Sequence, residues 1–295
     1  MLQSIDTPLQ LISHPYLTNL WVKRDDLIDP YISGNKWRKL KYVLEDAVSK
    51  KKRHLVTFGG AYSNHLVATA AAGARFGFYT TAFVRGEEVQ NEMLLLCRLY
   101  GMNLIFVERA AYKNKDDLYN NYFEGNDDTY YIPEGGASEE AVLGCAEIVD
   151  ELPDDIDHLF CAAGTGTTAA GLLMGINRRK LRTMLHVIPV LKPGDFIYQE
   201  IKKSVTDVNR LTLHSEYHFG GYAKVDSMLL NFIKDFIKNT GILIDPVYTA
   251  KMFFAIDDLY HKEQVGRTQK IVAIHTGGLL GIFGMQEKMN SLFRD

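Results

Sequence analysis

The chain reads as an α/β protein of two lobes, each a mostly parallel, twisted sheet with helices on both faces. Three observations give that class. Apolar strand-like runs alternate with amphipathic helical stretches from about residue 54 to 107, and again from about residue 130 onward. Glycine-rich turns, Gly59-Gly60, Gly164-Thr165-Gly166 and Gly277-Gly278, follow three of the strands. At 295 residues the chain is also long enough for two units. Residues 1–48 with 131–295 are expected to form the larger one and residues 49–130 the smaller. A ligand is then expected in the cleft between them, at the carboxyl ends of the strands.

Taken in order, residues 20–24 form a strand that runs into the acidic turn Asp25-Asp26. A helix opens at Gly34-Asn35, with Ser33 or Asn35 as its cap. Trp37, Leu40, Leu44 and Ala47 then recur at three- and four-residue spacings on one buried stripe. Lys36 shares an edge of that stripe, Lys39 follows one turn on, and Arg38, Lys41 and Glu45 fall on solvated faces. A strand at 54–58, a helix at 63–76, a strand at 79–84, a helix at 91–100 and a strand at 103–107 come next. The polar stretch 109–130 reads as a connection between lobes or a surface helix. The second series has helices at 138–150, 169–176, 194–205, 227–239 and 251–261. Its strands fall at 158–163, 184–190 and 270–274, and a terminal helix closes the chain.

Composition excludes several classes. Hydrophobic residues make up 46% of the chain, charged ones 23%, and the net charge is −3, so no basic surface for nucleic acid is indicated. The run Lys50-Lys51-Lys52-Arg53 suits the end of a helix dipole. No apolar run has the length of a bilayer span and no secretory pattern opens the chain, so a cytoplasmic location and no membrane partner are expected. Cys97, Cys145 and Cys161 are isolated, and the nine histidines show no ligand spacing, so no metal site is expected.

Chemistry concentrates in the turns. Gly164-Thr165-Gly166-Thr167-Thr168 joins a strand to a helix, where free N–H groups, the helix dipole and three hydroxyls suit a phosphate. The same letters fit a dinucleotide fingerprint, but the following strand ends Ile188-Pro189-Val190 without the acidic residue a ribose needs. A single phosphate is the better reading, with a plain tight turn as the structural alternative. Gly59-Gly60-Ala61-Tyr62-Ser63-Asn64-His65 is a second such turn, suited to a carboxylate or simply to capping. Tyr222, after two glycines, and Tyr248, in Asp245-Pro246-Val247-Tyr248-Thr249, are loop tyrosines able to move protons. A lysine, a phosphate cradle, a carboxylate turn and tyrosines together suggest pyridoxal 5'-phosphate.

Five motifs carry a family resemblance: Lys23-Arg24-Asp25-Asp26-Leu27; Gly34-Asn35-Lys36 with Arg38-Lys39-Leu40; Gly59-Gly60 with Ser63-Asn64-His65; Asp245-Pro246-Val247-Tyr248-Thr249; and His275-Thr276-Gly277-Gly278. In this order they resemble the 1-aminocyclopropane-1-carboxylate deaminase and D-cysteine desulfhydrase family, pyridoxal-phosphate enzymes of the tryptophan-synthase-β type. The resemblance implies that Lys36 is the Schiff-base lysine and that Lys39 reaches the cofactor phosphate with Gly164 to Thr168. It implies that Asn64 bonds the ring hydroxyl, that Ser63, Asn64 and His65 hold the substrate carboxylate, and that Tyr222 and Tyr248 flank the substrate. Thr249 falls where the deaminases carry a glutamate facing the ring nitrogen; a hydroxyl there favours β-elimination over opening of a cyclopropane. Tyr62 and Val67-Ala68-Thr69 depart from the family pattern near the expected pocket.

The expected activity is deamination by β-elimination of a small amino acid, as for D-cysteine desulfhydrase, giving a 2-oxo acid and ammonia. Cyclopropane-carboxylate deamination and a non-catalytic ligand-binding protein on the same fold are the alternatives. The resemblance also implies a homodimer.

Overall fold

A computed structural model describes residues 3, 5–12 and 17–293. Strands β1 (Leu9–Leu11) and β2 (Leu20–Lys23) lead through a short 3-10 turn to helix α1 (Asn35–Ser49). Then come β3 (His54–Gly60), α2 (Asn64–Phe76), β4 (Tyr79–Arg85), α3 (Glu92–Leu99), β5 (Asn103–Val107), α4 (Lys115–Phe123) and β6 (Thr129–Ile132). The chain continues through α5 (Glu139–Asp150), β7 (His158–Ala163), α6 (Thr167–Arg178), β8 (Met184–Pro189), α7 (Phe196–Ser204) and β9 (Leu211–Leu213). It ends with α8 (Ser227–Thr240), α9 (Thr249–His261), β10 (Ile271–Ile274), a 3-10 stretch and the short α10 (Gln286–Asn290).

The strands form two sheets. The larger runs β1-β2-β10-β7-β8-β9 and is parallel except for the β1–β2 pair; the smaller runs β5-β4-β3-β6 and is parallel throughout. Parallel strands need both faces covered, and the alternation along β7 and β10 shows how. Phe160, Ala162 and Ala273 pack under α8 and α9, whereas Leu159, Cys161, Val272 and Ile274 pack under α5 and α6. Strand β6 belongs to the smaller sheet, pairing His54 with Thr129, so the expected boundary after residue 130 falls inside a strand. Residues 115–123 form the surface helix that was one of two readings of that stretch.

Helix α1 is buried on two sides. Leu40, Val43, Leu44 and Ala47 pack with Leu55, Ala68 and Ile132 of the smaller sheet's layer. Its other side meets α5, where any side chain on Gly144 would collide with the Arg38 carbonyl. Arg38 is therefore buried rather than solvated as expected. Its guanidinium donates to Asp25 Oδ1 (3.0 Å) and Oδ2 (3.1 Å) and to Glu151, which also accepts from Lys23 at 2.5 Å. A buried ion pair needs such complete partnering, and this one joins β2, the acidic turn, α1 and α5.

Candidate active site

A cavity of about 960 Å³ lies at the carboxyl ends of both sets of strands. Its wall takes Gly60 and Arg85 from the ends of β3 and β4, Glu134 from the turn after β6, and Gly164 and Thr276 from the turns after β7 and β10. Among the expected residues Lys36, Lys39, Ser63, Asn64, His65, Gly164, Thr165, Gly166, Thr168, Tyr222 and Tyr248 line it, and Thr167 and Thr249 do not.

Lys36 sits in the first turn of α1. That turn is held by the Asn35 N–H on the Thr276 carbonyl (3.2 Å), not by a side-chain cap, which corrects the expected role of Ser33 or Asn35. The cap position is Gly34, at φ +57, where a Cβ would collide with the Thr276 carbonyl, so only glycine permits this seating. Asn35 instead bridges: its amide donates to Thr168 Oγ1 (3.0 Å) and its Oδ1 accepts from Lys36 Nζ (3.2 Å). Burial and the neighbouring Lys39 ammonium bring Lys36 down to about 7, so its amine is poised to exchange protons near neutrality. Lys39 is lowered by burial and donates to the Gly135 carbonyl at 2.9 Å. Neither lysine has a carboxylate partner among the described residues, so the pair leaves positive charge facing the cavity.

The turn after β7 complements them. Gly166, at φ 85, occupies the cap position of α6 with no side-chain cap, which leaves the helix's first N–H groups for a ligand. Thr165 and Thr168 line the cavity, while Thr167 does not, and its hydroxyl pairs with Thr165 Oγ1 at 3.0 Å. Uncapped amides beside buried lysines fit a phosphate; they are a cradle without a protein anion of its own.

The second turn is the N-terminus of α2, where Ser63 holds the cap position without a side-chain cap bond. Asn64 donates to the Gly278 carbonyl at 3.2 Å, which aims its amide across the cavity floor. His65 is buried, and burial with the two lysine charges keeps it neutral. Thr57 Oγ1 donates to the Ile132 carbonyl (2.9 Å), so it accepts from His65 Nε2 (2.7 Å). His65 Nδ1 is then an acceptor, buried without a partner. The His65 side chain therefore offers no N–H to a carboxylate, whereas its backbone N–H, in the helix's first turn, can serve the carboxylate turn expected at Ser63, Asn64 and His65.

Tyr248 and Tyr222 form the opposite wall, rings 6.0 Å apart and nearly perpendicular. Tyr248 lies on Gly164, where a Cβ would stand 3.2 Å from its ring. Burial raises both phenols, so each stays protonated as a donor. Asp245 shapes this corner: Oδ2 accepts from the Val247 and Tyr248 amides and Oδ1 from the Thr249 amide and hydroxyl, at 2.8–2.9 Å. Thr249 is thus spent on Asp245 and fully buried, and the expectation that it faces a ring nitrogen is overturned. Thr276 is the hydroxyl that lines the cavity from the last strand. The sequence reading also missed Lys251, whose buried ammonium donates to the His218 and Gly221 carbonyls (both 2.8 Å) and fixes the turn before Tyr222.

Comparison with known proteins agrees with this geometry. Residues 2–277 match the pyridoxal-phosphate dependent enzyme family. A Thermotoga maritima protein provisionally named 1-aminocyclopropane-1-carboxylate deaminase is 32% identical, with 96% of this chain and 97% of that one covered. The bifunctional D-cysteine desulfhydrase/1-aminocyclopropane-1-carboxylate deaminase of Arabidopsis thaliana is 29% identical over 99% of this chain and 80% of its own. The crystal structure of an ACC deaminase homologue superposes with a TM-score of 0.86 at 30% identity, covering 99% of this chain and 95% of that one. With a lysine pair and an uncapped helix facing one cavity, and with these relatives along its whole length, the chain belongs to the pyridoxal-phosphate dependent enzymes.

Proposed function

We propose that the protein deaminates a small amino acid by β-elimination, in the manner of a D-cysteine desulfhydrase, yielding a 2-oxo acid and ammonia. The observation that carries this reading is Lys36, an amine brought to about 7 and open to a cavity that also holds the anion cradle. Bound there, pyridoxal phosphate supplies an electron sink that makes the substrate's α proton removable. Lys39, Thr165, Thr168 and the first N–H groups of α6 hold its phosphate, and the Asn64 amide lies within the same floor. Ser63 and the first N–H groups of α2 take the substrate carboxylate. Lys36 Nζ accepts the α proton, while Tyr222 and Tyr248 donate to the departing β substituent. Loss of that substituent and addition of water give the 2-oxo acid and ammonia.

Among the described residues no carboxylate of the larger sheet's wall opens on the cavity, since Asp245 is buried and fully bonded. That supports elimination over the opening of a cyclopropane, the alternative reaction. A cytoplasmic homodimer completes the reading; among the described residues no helix is long and apolar enough to cross a membrane. The test is a screen of D- and L-amino acids and the cyclopropane substrate, with 2-oxo acid as readout. Lys36→Ala is expected to abolish both the cofactor's lysine-linked absorbance band and turnover. Purified protein that takes up no pyridoxal phosphate would refute the reading.

A further inference from the structure

Arg85 is a cation in the cavity for which the reaction above has no use. It ends β4 beside Gly60, whose missing side chain leaves Arg85 Nη2 3.7 Å from where a Cβ would stand. Gly60 begins the turn that carries Ser63 and Asn64, so the guanidinium borders the floor where the substrate is held. Its plane rests over the Tyr112 ring, 5.8 Å from the centroid, a contact that orients the group without consuming an N–H. No carboxylate pairs with it among the described residues, and no side-chain hydrogen bond engages its fork. Its charge nevertheless reaches the far wall, where it pulls against the raised Tyr222 phenol.

Glu134 pairs with Lys115 at 3.2 Å. Glu87, Glu108 and Arg109 are exposed on the connections after β4 and β5. Arg85 is exposed too; it is the unpaired planar cation that stands beside the carboxylate turn, at Gly60, whereas Arg109 stands beside Gly86.

We propose that Arg85 binds an anionic group on the side chain of the substrate, so that the preferred amino acids carry a negative charge on the substituent at the β carbon. The inference rests on the elimination reading and narrows its substrate class. The neutral thiol of D-cysteine leaves Arg85 idle. A phosphate ester engages the guanidinium with two parallel hydrogen bonds and can leave as inorganic phosphate; a carboxylate engages it in the same way but as a ligand that is not eliminated.

The test uses the holoenzyme and matched ligands, aspartate against asparagine and O-phosphoserine against serine, each in both chiral forms. Dissociation constants come from the ligand-induced change in the cofactor's absorbance, at low and high salt. The wild type is expected to favour the anionic member of at least one pair by about 10- to 100-fold, the range of a charged hydrogen-bonded contact. Which pair shows the preference separates carboxylate from phosphate. Arg85→Leu should collapse the ratio and its salt dependence, and Arg85→Lys should retain part of it. Equal binding within both pairs by the wild type overturns the proposal, as does a ratio that survives Arg85→Leu. A ratio lost in Arg109→Leu but kept in Arg85→Leu also overturns it. Should Arg85→Leu fail to fold, the Arg85→Lys and Arg109→Leu ratios decide. A protein that forms no cofactor band at all fails at the underlying reading instead.

Discussion

Thr249 shows how a motif position can be present and differently employed. Its hydroxyl and amide both bond Asp245 Oδ1 at 2.8 Å, and Asp245 in turn holds the loop that seats Tyr248. Asp245 is buried and raised by desolvation, so every donor that supports its charged form counts. Thr249→Val removes one charged hydrogen bond and is expected to lower stability by about 1.5–3 kcal/mol, read by denaturant titration. A variant as stable as the wild type would show that Thr249 does not support Asp245. Lys36 was legible because its helical stripe and its motif agree. Arg38 was not: periodicity ranks it as outward-facing, and only the partners Asp25 and Glu151, one of them far along the chain, reveal its burial.

Across β7, β8 and β9 the sheet carries a row of imidazoles that the site does not use. His158 Nδ1 meets His186 Nε2 at 2.9 Å, His186 Nδ1 meets His214 Nε2 at 2.9 Å, and His214 Nδ1 faces Glu216 at 3.6 Å. Burial first, then its two histidine neighbours, bring His186 down to about 3. The folded state therefore keeps His186 neutral where the unfolded chain, near 6.5, takes up a proton. Stability is complete above about pH 6.5 and is lost as pH falls from there toward about 3. His186→Phe should flatten that acid slope by about one proton's worth, roughly 1.4 kcal/mol per pH unit, in denaturation midpoints measured from pH 7 to 4. An unchanged slope would exclude the row as its source. At this scale the long elements were readable from pattern, whereas the three-residue edge strands β1 and β9 were too short to show a period.

For the whole molecule, the alternation of strands and helices gave away a parallel α/β architecture, because that topology demands apolar strands and amphipathic crossovers. Pattern could not give the pairing of β6 with β3, since both candidate sheets would accept an apolar edge strand. A chain ending at residue 268 keeps all four strands of the smaller sheet and the Lys36 motif, yet lacks β10 and Thr276. It is expected to take up no pyridoxal phosphate; uptake measured by cofactor absorbance would contradict the role given to the last strand.

Strand β2 pairs with β10, Leu20 against Ile271, and the amide of Asn35 leans on the carbonyl of Thr276. On the ribosome these partners emerge roughly tens of seconds apart, at translation rates of about 5–20 residues per second. The nascent chain therefore carries its Lys36 motif with that seat unbuilt until more than two hundred further residues have been added. The seat of the reactive amine is assembled only once residue 276 has been made, so a product terminated before it is expected to be inert rather than half-active.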